Sequence, residues 1–203
     1  MSRFLALGDS YTIGEGVKES RRWPNQLADL LLSRGHPLEV SILARTGWTT
    51  DELWQGMQAQ DILPPYDLVS LLIGVNNQYR GYALEEYRDQ FSFLLNQAIQ
   101  YAGGDPKRVL VLSIPDWGVT PFAEGHDRAK VCAQIEVFNA VNRTVSEQGG
   151  VWYVDVTPVS RLALTDPALL AADGLHPSGR MYTLWAELAL PAALAALQAE
   201  ALP

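Results

Sequence analysis

Cysteine is almost absent from this chain. Cys132 is its one cysteine, so no intramolecular disulfide can form. Placed in Val131-Cys132-Ala133 on a predicted helix, it reads as a small packing residue. Cationic side chains are also scarce: 15 Lys and Arg stand against 23 Asp and Glu, a net charge of −8. The densest basic cluster is Arg21-Arg22. Binding a phosphate backbone needs a basic stripe that displaces counterions, so a nucleic-acid partner is excluded. No apolar run is long enough to span a bilayer, and no stable membrane association is expected. Phe4 to Leu7, the apolar stretch before Gly8, is too short for a secretory core and already reads as a strand. With the lone cysteine, this points to a cytoplasmic location. Histidine is limited to three residues, His36, His126 and His176.

What is present is an ordinary mixture for a folded chain of 203 residues: 48% hydrophobic and 19% charged. One domain over residues 1–203 is expected, with no repeat, linker or low-complexity segment. Five runs rich in Leu, Val and Ile read as buried parallel strands: Phe4–Leu7, Leu38–Ala44, Asp67–Ile73, Arg108–Ile114 and Val151–Val156. Helical stripes lie between them. Trp23, Leu27, Leu30 and Leu31 form one; Leu53 and Met57 mark a shorter one. Tyr87, Phe91, Leu94, Leu95 and Ala98 form the next, then Val131, Ile135, Phe138, Val141 and Val145. Met181, Trp185 and Leu188 form the last, which Pro191 is expected to kink or restart. Gly35, Gly103-Gly104 and Gly149-Gly150 read as helix stops. Alternating strand and helix implies right-handed crossovers. The fold class is therefore α/β, a three-layer α/β/α sandwich. Its five-stranded parallel sheet is flavodoxin-like, in the order 2-1-3-4-5.

In such a sheet the chemistry lies outside the carboxyl ends of the strands. The segments that follow the first four strands are Gly8-Asp9-Ser10, Arg45-Thr46-Gly47, Gly74-Val75-Asn76-Asn77 and Pro115-Asp116-Trp117. Near the C-terminus lies Asp173-Gly174-Leu175-His176-Pro177. Ser10, His176 and Asp173 are the side chains that turn a hydroxyl into a nucleophile at neutral pH. A serine keeps its proton unless a base lies within reach, and the base needs an anion to fix its tautomer. Gly47 and Asn76 are small or amide residues suited to hydrogen-bonding an anion. The strand-to-helix elbow G-x-S-x-G does not occur, which sets aside the usual α/β-hydrolase arrangement.

Four separated blocks, spanning residues 8 to 177, resemble the SGNH hydrolases, also called the GDSL family of serine esterases and lipases. Gly8-Asp9-Ser10-Tyr11 resembles the first block, Gly47 the second, Asn76 the third, and Asp173 with His176 the last. The resemblance implies a serine esterase. Ser10 would be the nucleophile, His176 the general base and Asp173 its orienting anion. The backbone N–H groups of Ser10 and Gly47 and the side-chain amide of Asn76 would hold the oxyanion. The chain departs from the pattern twice. Tyr11 stands where Leu is common, and Asn77 where an aspartate is usual, removing a carboxylate that would brace the third block. A short chain without a large lid insertion points to small acyl groups, with soluble esters, thioesters or lysophospholipids as candidates and a small-molecule ester as partner.

Plainer readings stand beside these. Asp9 reads as a helix cap or turn acceptor whatever Ser10 does. Asp173-Gly174 alone is a turn signal, and Ser178 is a candidate cap for the last helix. Trp48, Tyr79, Tyr82, Trp117 and Phe122 fall in predicted loops at the catalytic edge. They either line a substrate pocket or simply close the top of the sheet. His36 is expected on the opposite edge, facing solvent, and His126 at the start of a helix near the site. Asp-x-x-His lacks further metal ligands, so no metal and no cofactor are expected. The rival functions are an acyltransferase using the same serine, a silent binding module of this fold, and a flavodoxin-like electron carrier.

Overall fold

The computed structural model describes residues 2–198. The strands are β1 (Ser2–Gly8), β2 (Leu38–Ala44), β3 (Leu68–Leu72), β4 (Val109–Leu112) and β5 (Trp152–Val154). They form one parallel sheet in the order β2-β1-β3-β4-β5, as expected from the alternation of strand and helix. Strands β3 and β4 are buried along their whole length, and β1 from Phe4 onward. The two edge strands differ from that expectation. Within β2 only Leu43 is buried, and within β5 only Val154. An edge strand has a neighbour on one side only, so its residues keep partial contact with water.

The helices are α1 (Ser10–Ile13), α2 (Trp23–Leu32), α3 (Thr50–Gln58), α4 (Val75–Arg80), α5 (Leu84–Tyr101), α6 (Arg128–Gly149), α7 (Thr157–Ser160) and α8 (Gly179–Gln198). Helices α2 and α8 pack on each other in one layer, and α3, α5 and α6 form the other. The predicted stripes on α5 and α6 are buried faces, whereas on α8 Met181 and Trp185 are buried but Leu188 is exposed. Tyr87, Phe91, Leu94, Leu95 and Ala98 are buried on α5, and Val131, Ile135, Phe138, Val141 and Val145 on α6. Trp23 and Trp185 are fully buried. Each large apolar side chain removed from water contributes roughly 2–3 kcal/mol before ordering costs.

Two sequence expectations are corrected. Helix α8 does not restart at Pro191 but runs through it to Gln198. Pro191 is exposed, on a face where a carbonyl left without its N–H partner is open to solvent. The segment after β3 is not a loop but the short helix α4, which places Tyr79 on a helix. No helix among the described residues is long and apolar enough to cross a membrane.

The register of the sheet decides where its ends meet. Gly8, the last residue of β1, pairs with Ala44 of β2 on one side and Leu72 of β3 on the other. The three segments that follow, carrying Ser10, Gly47 and Asn76, therefore leave the sheet at one level and side by side.

Candidate active site

Ser10 opens α1 immediately after the interior strand β1. Asp9 caps that helix: its Oδ1 accepts the Tyr11 N–H at 3.0 Å. The N–H groups of a helix's first turn have no acceptor within the helix, and Ser10 supplies the first of them. Ser10 is buried apart from a small opening, and Asp9 and Thr12 are fully buried. Burial pushes the Asp9 carboxyl from 3.8 up to about 7, against the pull of the Tyr11 N–H. Its Oδ2 has no hydrogen-bond partner among the described residues. Tyr11, the departure from the usual leucine, is buried with its ring 5.6 Å from that of His176 and 6.1 Å from that of Trp185.

Asp173 and His176 sit in an irregular loop before α8. An isolated antiparallel bridge between Leu170 and Pro177 closes that loop. The Ala171 N–H donates to the His176 carbonyl at 2.7 Å, and the Ser178 N–H to the Leu169 carbonyl at 2.8 Å. Asp173 uses its two oxygens differently. Oδ1 accepts the N–H groups of Leu175 and His176, both at 2.9 Å, and so folds the turn. Oδ2 lies 2.7 Å from His176 Nδ1. A proton on Nδ1 satisfies that carboxylate and leaves the lone pair on Nε2. Partial burial alone raises the Asp173 carboxyl, but the imidazole and the two backbone N–H groups outweigh it and hold the group below its ordinary value.

The oxyanion candidates lie opposite. Gly47 has φ +87°, a left-handed conformation natural to glycine. Asn76 Nδ2 donates to the Trp48 carbonyl at 2.9 Å, which fixes the amide plane and leaves its second N–H for the cavity. Asn77 is fully buried and replaces the usual carboxylate brace with an amide one. Its Oδ1 accepts the Thr50 N–H at 3.1 Å and its Nδ2 donates to Thr50 Oγ1 at 2.7 Å. Gly74 caps α4 at φ +127°, where a Cβ would stand 2.3 Å from the Tyr87 hydroxyl. Any side chain there collides with that ring, whose hydroxyl donates to the Ile73 carbonyl at 3.1 Å.

One cavity of about 140 Å³ joins these parts. Ser10, Gly47, Asn76 and His176 line it, and so do Tyr79, Trp117 and Phe122 from the predicted aromatic set. Tyr11, Thr46, Val75 and Leu175 complete the wall; the sequence reading did not place them there. Trp48 is not in the lining. Its ring packs against Gly56 of α3, where a Cβ would meet it at 2.2 Å. Tyr82 also lies elsewhere, with its hydroxyl 3.4 Å from Asp51. His126 is exposed but joins the rim: its ring lies 5.2 Å from Trp117, 6.3 Å from Tyr79 and 6.4 Å from Phe122. Among the described residues no group of three or more His, Cys, Asp or Glu side chains is arranged to hold a metal ion.

With this geometry in view, likeness to known proteins is informative. The model of the GDSL-like Lipase/Acylhydrolase family matches residues 6–184. No curated protein matches the chain. Among solved structures, an acetylxylan esterase from Geobacillus stearothermophilus is 20% identical, with a TM-score of 0.73 over 95% of this chain and 94% of that one. A lipase/acylhydrolase from Enterococcus faecalis is 19% identical, with a TM-score of 0.72 over 94% of each chain. A member of the lipolytic G-D-S-L family from Veillonella parvula is 16% identical, with a TM-score of 0.71 over 94% of this chain and 97% of that one. At these identities the likeness establishes a shared fold.

Proposed function

The chain belongs to the GDSL-like lipase/acylhydrolase family, and on that premise we propose that it hydrolyses carboxylic esters of short acyl groups through a covalent acyl-Ser10 intermediate. The observation that carries this reading is the 2.7 Å approach of Asp173 Oδ2 to His176 Nδ1 beside a cavity that Ser10 also lines.

The chemistry runs in two halves. Ser10 Oγ attacks the ester carbonyl while His176 Nε2 takes its proton, and Asp173 stabilises the imidazolium. The carbonyl oxygen gains negative charge. It is met by the N–H groups of Ser10 and Gly47 and the free N–H of Asn76. Each such donor contributes about 3 kcal/mol at the transition state. The tetrahedral species collapses, the C–O bond to the alcohol breaks, and His176 returns the proton to the departing alkoxide. Water then repeats the sequence on the acyl-serine and releases the carboxylic acid. A cavity of about 140 Å³ walled by Val75, Tyr79, Trp117, Phe122 and Leu175 suits a small apolar acyl group.

The test is hydrolysis of p-nitrophenyl acetate, butyrate, octanoate and palmitate by the wild type and by Ser10→Ala. Turnover that ranks short chains first and vanishes in Ser10→Ala is the expected result. Equal activity in the variant removes Ser10 from the mechanism. A preference for palmitate overturns the short-chain reading while leaving the serine in place.

A further inference from the structure

The loop between β2 and α3 carries Gly47, yet its own backbone does little to hold it. One turn bond, from the Trp48 N–H to the Arg45 carbonyl at 3.2 Å, spans it. Glycine at φ +87° has no side chain to fix the flanking peptide planes. Three successive groups are instead held by side chains from the helices behind. The Gly47 carbonyl accepts from Arg80 Nη2 at 2.6 Å. The Trp48 carbonyl accepts from Asn76 Nδ2 at 2.9 Å. The Thr49 N–H donates to Glu52 Oε2 at 2.9 Å. Arg80 Nη1 lies 3.1 Å from that same Glu52 oxygen, so the guanidinium bridges the glycine carbonyl and the capping carboxylate of α3.

Asn76 and Arg80 are four residues apart on α4 and share one face. The amide that would bind the oxyanion and the cation that grips the Gly47 peptide are thus parts of one rigid turn. A planar guanidinium with several fixed donors suits this fork; an ammonium does not reproduce it. The pair is largely solvent-exposed, with side chains 43% and 36% accessible, and exposed ion pairs contribute little to stability. Its value lies in where it places Gly47.

We propose that Arg80, tied to Glu52, is a positioning residue that orients the Gly47 peptide so that the oxyanion donors of Gly47 and Asn76 stay in register. The proposal rests on the reading of Gly47 and Asn76 as oxyanion donors. Arg80 touches no reacting atom, so its loss acts on kcat through geometry and leaves ground-state binding alone.

The test compares wild type, Arg80→Ala, Arg80→Lys and Glu52→Gln. In Arg80→Ala, kcat on p-nitrophenyl acetate is expected to fall about 10- to 100-fold with KM nearly constant, the scale of a misplaced donor. Added guanidinium is expected to restore part of that loss in Arg80→Ala and none in wild type. Glu52→Gln keeps a cap acceptor for Thr49 and is expected to lose less. Amide hydrogen exchange at Trp48 and Thr49 provides a second readout that needs no catalysis, and it is expected to accelerate in Arg80→Ala. If that variant does not fold, Arg80→Lys carries the same comparison. Unchanged exchange overturns the clamp. Faster exchange with unchanged Ser10-dependent kcat overturns its role in the reaction. A wild type with no Ser10-dependent turnover defeats the esterase reading instead, and exchange at Trp48 and Thr49 still decides whether Arg80 holds the loop.

Discussion

Two aspartates flank the reacting groups, and their surroundings drive them in opposite directions. Asp9, beside Ser10, is fully buried at the end of β1, and burial raises its carboxyl to about 7. Asp173, beside His176, lies in a surface loop with a side chain 39% exposed, and its hydrogen bonds hold it below its ordinary value. Ser10 is seated by a sheet whose core would exist without it. His176 is seated by a turn that one carboxylate folds and aims at once. The first seat costs the fold an ionisable group kept from water; the second depends on that group being charged.

The sharpest way to break this comparison is to remove the two working ends. Ser10→Ala should abolish ester hydrolysis, a loss of at least about 10⁴-fold in kcat, while leaving the melting temperature near that of wild type. Asp173→Asn should lower kcat by about 10³- to 10⁴-fold. Its Oδ1 can still accept the Leu175 and His176 N–H groups, but its NH₂ faces Nδ1 and favours the wrong tautomer. Asp173→Ala should in addition speed amide exchange at Leu175 and His176. If Asn and Ala behave alike in exchange, Asp173 does not fold its own turn.

The pH dependence of stability sharpens the comparison further. Between 3.8 and about 7 the folded chain retains the Asp9 proton that the unfolded chain has released. Raising the pH through that window therefore favours unfolding, by up to about 1.4 kcal/mol per pH unit from this group. Asp9→Asn keeps the cap acceptor and should flatten that part of the stability curve, as measured by denaturant midpoints from pH 4 to 8. For Asp173 the sign reverses. Its contribution is present above its ordinary value of 3.8 and is lost as the pH falls through the lower folded value. The smallest expected effect belongs to Asn77→Ala, which strips the Thr50 N–H of a buried acceptor. A loss of about 1–3 kcal/mol in stability is expected, with only a few-fold change in kcat.

Much of this architecture was legible in the chain itself. Apolar runs and helical stripes located all five strands and the buried faces of α2, α5 and α6, and their alternation dictated the sheet order. The segments after the first strands pointed to one sheet edge, and the structure brings Ser10, Gly47 and Asn76 to one cavity with His176 from its terminal loop. What escaped were directions that distant residues set. Trp48 turns onto α3 because Gly56 leaves room for its ring. Tyr79 faces the cavity because residues 75–80 wind into a helix, which no apolar stripe announced. His126 joins the aromatic rim through Trp117 and Phe122, residues that a contact-blind reading treats only as local neighbours. No motif in the sequence singles out Arg80, and only its reach across 33 positions to Gly47 gives it a task.

The packing of α8 on α2 has a consequence for synthesis on the ribosome. Gln26 of α2 donates to the Gly179 carbonyl at 3.0 Å and accepts from Thr183 Oγ1 at 2.6 Å, and Trp23 and Trp185 are sealed in the same layer. The segment bearing Ser10 emerges before α2 and well before α8, and α8 follows His176 by only three residues. A nascent chain thus carries Ser10 with the Trp23 face of α2 uncovered until α8 has emerged. His176 and the residues that cover α2 leave the exit tunnel almost together, so assembly of the Ser10–His176 site and burial of that face arrive as one event.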